Sequence, residues 1–171
     1  ILERRKEFIE QVNRIISDIH YKLTGNKEHI TISYEASTGN LSLEQCLRKY
    51  RERDLRMKST TVGPHRDDLC FTSDQGIDVR RFGSQGQQRT AALALKMSEI
   101  ELVKQVTGDT PVLLLDDVLS ELDKHRQNYL LDSIHDIQTI ITCTGLDEFV
   151  SNRFSINKIF HIKNGHAVNA N

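Results

Sequence analysis

The sequence lacks a phosphate-wrapping loop of its own. No G-x-x-x-x-G-K-S/T run occurs in its 171 residues, and none of its 9 glycines is followed by lysine. Cysteine is sparse: Cys46, Cys70 and Cys143 are widely separated and form no C-x-x-C pair. That spacing excludes a disulfide framework and a cysteine zinc site, and it fits a reducing, cytoplasmic setting. No apolar run approaches the roughly 18 residues of a membrane-spanning helix, so no membrane partner is expected. A net charge of −1 supplies no global attraction for nucleic acid, so any contact with DNA must come from a local patch. There is no long heptad repeat to build a coiled-coil arm. The opening Ile1-Leu2-Glu3-Arg4-Arg5-Lys6 is neither an initiator methionine nor an apolar signal core, which is the expectation for a piece of a longer polypeptide. What remains, 37% hydrophobic and 27% charged residues, describes an ordinary globular protein of one domain or two small ones.

From Glu3 to Leu23, Phe8, Ile9, Val12, Ile15, Ile16, Ile19 and Leu23 recur at steps of three and four, predicting an amphipathic helix stopped by Thr24-Gly25-Asn26. His29 to Ala36 alternates Ile30, Ile32 and Tyr34 with polar residues, as a half-buried strand does. Ser42 and Gln45 have capping-box spacing and open a second helix reaching about Met57. On it, Arg48, Lys49, Arg51, Arg53, Arg56 and Lys58 outnumber Glu44, Glu52 and Asp54. Such a face either follows a DNA backbone or is simply solvated and laced by i,i+4 pairs. Tyr50 among these bases could stack on a base or sugar. Thr60 to Asp68 is rich in breakers, after which Leu69-Cys70-Phe71 and Ile77-Asp78-Val79 around Gly76 predict a hairpin. His65 and Arg66 beside Asp67 and Asp68 form either a loop-locking ion-pair network or the lining of a route to DNA. Arg80 and Arg81 can contact phosphate of nucleotide or of DNA.

Two later stretches carry the chemistry. In Phe82-Gly83-Ser84-Gln85-Gly86-Gln87-Gln88-Arg89, Ser84 can N-cap a long alanine-rich helix with Gln87 at the third helical position. Gly83 and Gly86 let backbone N–H groups approach a bulky anion, although a well-capped helix with no ligand has the same pattern. Val112-Leu113-Leu114-Leu115 then predicts a strand buried on both faces, as in a parallel sheet, with Asp116 and Asp117 at its carboxyl end, where ligands of α/β sheets bind. One aspartate can reach a phosphate-held cation while the other orients water, provided the chain turns at Asp117. The plain alternative is that both merely solvate a strand end. Asp123 can N-cap a helix carrying Tyr129, Leu130, Leu131 and Ile134, and Thr139 to Thr144 predicts a second parallel strand. Gly145 to Arg153 is expected as a short helix, and Lys158 to Val168 as a terminal hairpin turning at Asn164-Gly165. A metal-dependent nuclease would need further acids at neighbouring strand ends, and neither Thr142 to Thr144 nor Asn157 to Ile162 supplies one.

In this order the motifs resemble the signature motif, Walker B strand and D-loop of ABC-type ATPases. More narrowly, Gly63-Pro64-His65-Arg66-Asp67-Asp68-Leu69, Gly83 to Arg89, Leu113 to Asp117 and Ser120-Glu121-Leu122-Asp123 resemble the RecF family. The specific motifs cover roughly Thr60 to Val150, and before Thr60 the likeness is one of helix pattern. The resemblance implies an α/β fold, the C-terminal portion of an ABC-type ATPase head: residues 1–107 a helix-rich signature-bearing lobe, and 108–171 a parallel-sheet segment of the ATPase lobe. It implies Asp116 as the Mg2+ ligand and Asp117 as the residue polarising water. Ser84, Gly86, Gln87 and Gln88 would contact ATP held by an opposite subunit, and Ser120 and Asp123 would form the D-loop. Thr142 and Thr144 stand where such ATPases place a histidine near the γ-phosphate, and Asp117 stands where most have glutamate, so slow turnover is expected. Arg48, Lys49, Arg51, Arg56, His65, Arg66, Arg80 and Arg81 are candidates for DNA contact or coupling. The implied function is an ATP-driven homodimeric clamp on DNA at gaps, with RecR and RecO as partners, that loads RecA in recombinational repair and replication. Lacking the phosphate loop, this chain alone is expected neither to bind ATP tightly nor to hydrolyse it. The rival readings are a non-catalytic module for DNA or protein and a piece of another SMC-like ATPase.

Overall fold

The computed structural model describes residues 1–144 and 158–170. The chain divides into two compact units, Ile1–Pro111 and Val112–Asn171.

In the first unit, α1 (Leu2–Leu23) buries Ile9, Val12, Ile16 and Leu23, the face its periodicity predicts, and Gly25 and Asn26 stop it at positive φ. β1 (Ile30–Glu35) pairs antiparallel with β2 (Asp68–Ser73), from Ile30 opposite Ser73 to Glu35 opposite Asp68. Asn13 of α1 guards β1 by a two-way amide clasp: Nδ2 donates to the Ile32 carbonyl at 2.7 Å and Oδ1 accepts from the Ile32 N–H at 2.8 Å. The predicted hairpin partner of β2 is replaced by β1. The Ile77-to-Val79 run contributes a single bridge, Thr72 to Asp78, because the Asp78 carboxylate takes the N–H groups of Arg80 and Arg81 and starts the short α3 (Val79–Phe82).

α2 (Leu43–Met57) opens with the predicted capping box but buries only Cys46. α4 (Gln85–Thr107) packs on α1 and buries Thr90, Ala91, Leu93, Ala94, Met97, Ser98 and Leu102, while Ala92 and Val103 face out. The buried hydroxyls of Thr90 and Ser98 return to the carbonyls of Gly86 and Ala94, so no polar group is stranded in that contact.

In the second unit, β3 (Leu113–Asp116) and β4 (Thr139–Thr142) are parallel, Leu113 opposite Thr139 and Asp116 opposite Thr142. They are joined through a 3-10 turn (Val118–Glu121) and α5 (Lys124–Ser133). Leu115, Leu119, Leu122, Leu130, Leu131, Ile134 and Ile137 form the core. The expectation of burial on both faces fails here. Val112, Leu114 and Ile140 are 55%, 70% and 56% exposed, because a pair of strands with one covering helix buries one face only. β5 (Ile159–Lys163) and β6 (His166–Ala170) form the terminal hairpin, turning at Asn164 and Gly165, both at positive φ. The helix expected over residues 145–153 lies outside the described residues.

Candidate nucleotide site

The signature turn begins where α3 ends. A Cβ on Gly83 would lie 2.4 Å from the Val79 carbonyl oxygen, so glycine is required there by packing. Ser84 then N-caps α4: its Oγ accepts from the Gln87 N–H at 3.3 Å while Gln87 Oε1 accepts from the Ser84 N–H at 3.0 Å. Accepting there leaves the Ser84 hydroxyl its own proton to donate. Gln87 Nε2 donates to both carboxylate oxygens of Glu28, at 3.3 and 3.4 Å, and Gln88 Nε2 to the carbonyls of Arg80 and Gly83, both at 3.1 Å. Gly86 differs from Gly83. A Cβ there meets nothing closer than Ser84 Oγ at 3.9 Å, so the fold makes no demand for glycine. The first-turn N–H groups beside it belong to an exposed helix start with the positive end of the helix dipole.

The acid pair is held by one threonine. The Thr142 hydroxyl donates to Asp116 Oδ1, and the Asp117 N–H is shared between the Thr142 carbonyl and Oγ1, both at 3.1 Å. Asp117 adopts φ +52°, a left-handed conformation that aspartate tolerates better than most residues, and the chain turns there. The condition for two successive carboxylates to leave the alternation of a strand is therefore met. Ser120 Oγ donates to the Asp117 carbonyl at 2.8 Å, closing the turn. Asp123 caps α5, accepting the Arg126 N–H at 3.0 Å and its guanidinium. The Arg126 N–H, aided by the guanidinium charge, holds the Asp123 carboxyl below its usual range despite the opposing effect of burial. Thr144 is exposed just beyond β4. Among the described residues no cluster of three or more His, Cys, Asp or Glu side chains is poised around a metal. Asp116 thus offers one carboxylate, which fits a hard cation whose other ligands are phosphate and water.

The basic candidates split into engaged and available groups. Arg48 pairs with Glu44 at 2.6 Å and Lys49 lies over the Tyr50 ring at 5.3 Å, whereas Arg51, Arg53 and Arg56 are exposed and make no ion pair among the described residues. Arg80 is held by Asp68, and Arg81 by Glu35 at 3.5 Å and Asp78 at 3.2 Å. His65 and Arg66 do not join Asp67 and Asp68. They turn to the Thr60 carbonyl, at 3.0 and 3.4 Å, and Arg66 also to Ser59 Oγ at 3.4 Å. Asp67 instead accepts from the Tyr34 hydroxyl and from the Ser37 N–H at 2.7 Å. Burial pushes its carboxyl up, but these hydrogen bonds and the nearby Arg5 charge outweigh that and hold it below the usual range. The roles of Arg5, Tyr34, Ser37 and Glu28 leave no motif in the sequence, since each acts through a partner 29 to 59 residues away.

No family model matches the chain. It is 58% identical over 165 residues to the DNA replication and repair protein RecF of Agathobacter rectalis, covering 96% of this chain and 45% of that protein. It is 59% identical over 171 residues to RecF of Lachnospira eligens, covering 100% and 47%. Among solved structures it matches that of the recombination mediator protein RecF-ATP in the RecFOR pathway, with a TM-score of 0.75, 34% identity, and coverage of 100% of this chain and 46% of that one. An SMC head bound to the C-winged helix domain of ScpA shares the fold at a TM-score of 0.57 and 17% identity, covering 96% and 43%. The chain spans a little under half the length of the curated relatives it matches, and along that span its identity to them shows that it belongs to the RecF family of DNA replication and repair proteins.

Proposed function

We propose that this chain is the signature- and Walker B-bearing part of an ATP-driven DNA clamp, and that its two motifs serve different nucleotides in a dimer. The observation that carries the reading is Gly86, a glycine in the first turn of a capped helix with open space where its side chain would be. A glycine there costs the helix up to about 1 kcal/mol relative to alanine and brings no packing benefit, so the open approach is the feature it preserves. Ser84 Oγ–H and the first-turn N–H groups would meet the γ-phosphate of ATP held by a second subunit, with Gln87 and Gln88 keeping the turn in shape. Asp116, oriented by Thr142, would hold Mg2+ in its own subunit, and Asp117 would accept a proton from the attacking water. When bound, Mg2+ would neutralise charge developing on the phosphate oxygens. The Thr142 hydroxyl is engaged as a hydrogen-bond donor to Asp116, which leaves exposed Thr144 the more available to sense the γ-phosphate. Ser120 and Asp123 would carry the D-loop to the dimer interface. The shorter side chain of Asp117 suits slow turnover and a switch. The phosphate loop would come from the remaining length that RecF relatives have, so the chain alone would be inactive.

DNA at gaps would be the clamped ligand, RecR and RecO the partners and RecA loading the outcome. The test is ATP hydrolysis, with and without gapped DNA, by this chain co-expressed with the remaining part of a RecF relative and by each part alone. Activity confined to the DNA-stimulated pair is the expected result, and an assembled pair with no activity would sink the ATPase reading. Arg51, Arg53 and Arg56, exposed and without an ion pair among the described residues, favour a second reading, a module that binds DNA without turnover. Under it, Asp117→Asn would leave DNA-repair function intact.

A further inference from the structure

We infer that Glu28, in the turn between α1 and β1, is a positioning residue for the signature turn, acting through the side-chain amide of Gln87. The inference rests on the signature reading proposed above. Gln87 has to present Oε1 to the Ser84 N–H, where it accepts at 3.0 Å. A Gln amide has two nearly isosteric ends, and nothing in the capping box alone prevents its rotation. Glu28 does: an ionised carboxylate only accepts, and both of its oxygens take Nε2 of Gln87, at 3.3 and 3.4 Å. Flipping the amide would set Oε1 against the carboxylate and Nε2 against the Ser84 N–H, so two attractive contacts would become two repulsive ones.

Glu28 is itself fixed at both backbone groups. Its N–H donates to Thr24 Oγ1 at 3.1 Å, and its carbonyl lies 3.0 Å from Nδ1 of His20, a histidine only 2% exposed on α1. Because α1 packs along α4, the carboxylate and the helix it steadies belong to one packed block. Glu28, Gln87 and Gly83 also border one small cleft, behind the turn that Ser84 caps. Glu28 therefore sets the side-chain geometry of the cap without touching the nucleotide, a supporting contact of the kind on which ligand-binding groups depend.

The test uses the full-length protein and measures ATP-driven dimerisation, ATP affinity of the monomer and thermal melting. Glu28→Leu keeps the bulk and removes the acceptor, while Glu28→Gln keeps an acceptor oxygen and removes the charge. Glu28→Leu should weaken dimerisation about tenfold, the size of one lost charge-assisted hydrogen bond, and leave monomer ATP affinity unchanged. Glu28→Gln, which keeps an acceptor but loses the charge assistance, should recover about half of that free energy and return dimerisation to within about threefold of the parent. In a Gln87→Leu background, Glu28→Leu should add nothing, since its effect passes through that amide. Dimerisation of Glu28→Leu at the parent level, failure of Glu28→Gln to rescue, or additivity with Gln87→Leu would each overturn the inference. Should Glu28→Leu no longer melt cooperatively, Glu28→Ala, which removes the carboxylate without adding an apolar side chain, takes its place in the same comparisons with the same expected and overturning results. Ser84→Ala and Gly86→Gln in the same assay separate the layers. If both still dimerise with ATP, the signature reading falls and this inference with it. If both fail and Glu28→Leu does not, only the role of Glu28 is wrong.

Discussion

Gly83 and Gly86, three residues apart, are glycines for opposite reasons. An added methyl at Gly83 would collide with the Val79 carbonyl at 2.4 Å, whereas at Gly86 it would enter open space. Gly83→Ala should therefore destabilise the first unit by about 1–3 kcal/mol, the range for a forced overpacking, seen as a lower urea midpoint. Gly86→Ala should raise stability by up to about 1 kcal/mol, since alanine favours the helix, and still weaken ATP-driven dimerisation. A Gly86→Ala protein that dimerises normally would remove the reason for a glycine there. Asp67 makes a third residue-level case. Its folded-state carboxyl is held below the ordinary value by the Tyr34 hydroxyl, the Ser37 N–H and Arg5, against the push of burial. A depressed carboxyl contributes stability that is present above the unfolded value, about 3.9, and is lost as pH falls through the lower folded value. Melting temperature should therefore drop below about pH 4 in the parent, and Asp67→Asn should flatten that drop while lowering stability at neutral pH. Equal acid slopes in the two proteins would assign the acid sensitivity to other carboxyls.

Among the described helices, α2 is the one whose burial does least to explain it. It is 15 residues long, opens with a complete capping box, and buries only Cys46, so its surface is the part left to account for. Two readings of that surface stay open: of the basic side chains only Arg48 has an i,i+4 acid partner, while Arg51, Arg53 and Arg56 stand exposed and unpaired among the described residues, as a DNA-binding face or a solvated one would have them. Replacing those three by glutamine should weaken binding to double-stranded DNA and lower the slope of log affinity against log salt by up to about 0.9 for each phosphate no longer neutralised. An unchanged slope would return α2 to the role of a solvated face. Other elements show which features local sequence encodes. Both capping boxes and the Asn164-Gly165 turn follow from neighbours a few residues apart, and the parallel β3–β4 pair follows from the helix between its strands; all are present. The partner of β2 was not legible, because Asp78 can either extend a ladder or cap a helix and only the tertiary pairing with β1 decides. The Glu28–Gln87 contact was hidden for a related reason: Glu28 belongs to no motif and lies 59 residues from the amide it fixes.

For the whole molecule, the informative quantity is the apolar surface left in water. Val112, Leu114 and Ile140 expose the outer face of the β3–β4 pair, and Phe160 and Ile162, on one side of the terminal hairpin, are 57% and 70% exposed. Contiguous apolar faces of this kind are rare on proteins that work alone and mark surfaces that another segment covers. The occupant that fits is the additional length of the RecF relatives, since this chain spans 45% and 47% of the Agathobacter and Lachnospira proteins. A parallel pair grows into a stable sheet only by adding strands at its edges and layers on its faces. The chain by itself should therefore bind the hydrophobic dye ANS and self-associate as concentration rises. Co-expression with the remaining RecF length should abolish both and slow amide exchange in Leu113 to Leu115 and Ile140. Replacing Leu114 and Ile140 by threonine separates covering from mere stickiness. It should suppress dye binding by the isolated chain and at the same time impair assembly with the remaining length, because a face that is only an exposed liability would tolerate the change in both settings. Normal assembly and ATPase activity after that double substitution would mean that the outer face of β3–β4 is not where the rest of the protein packs.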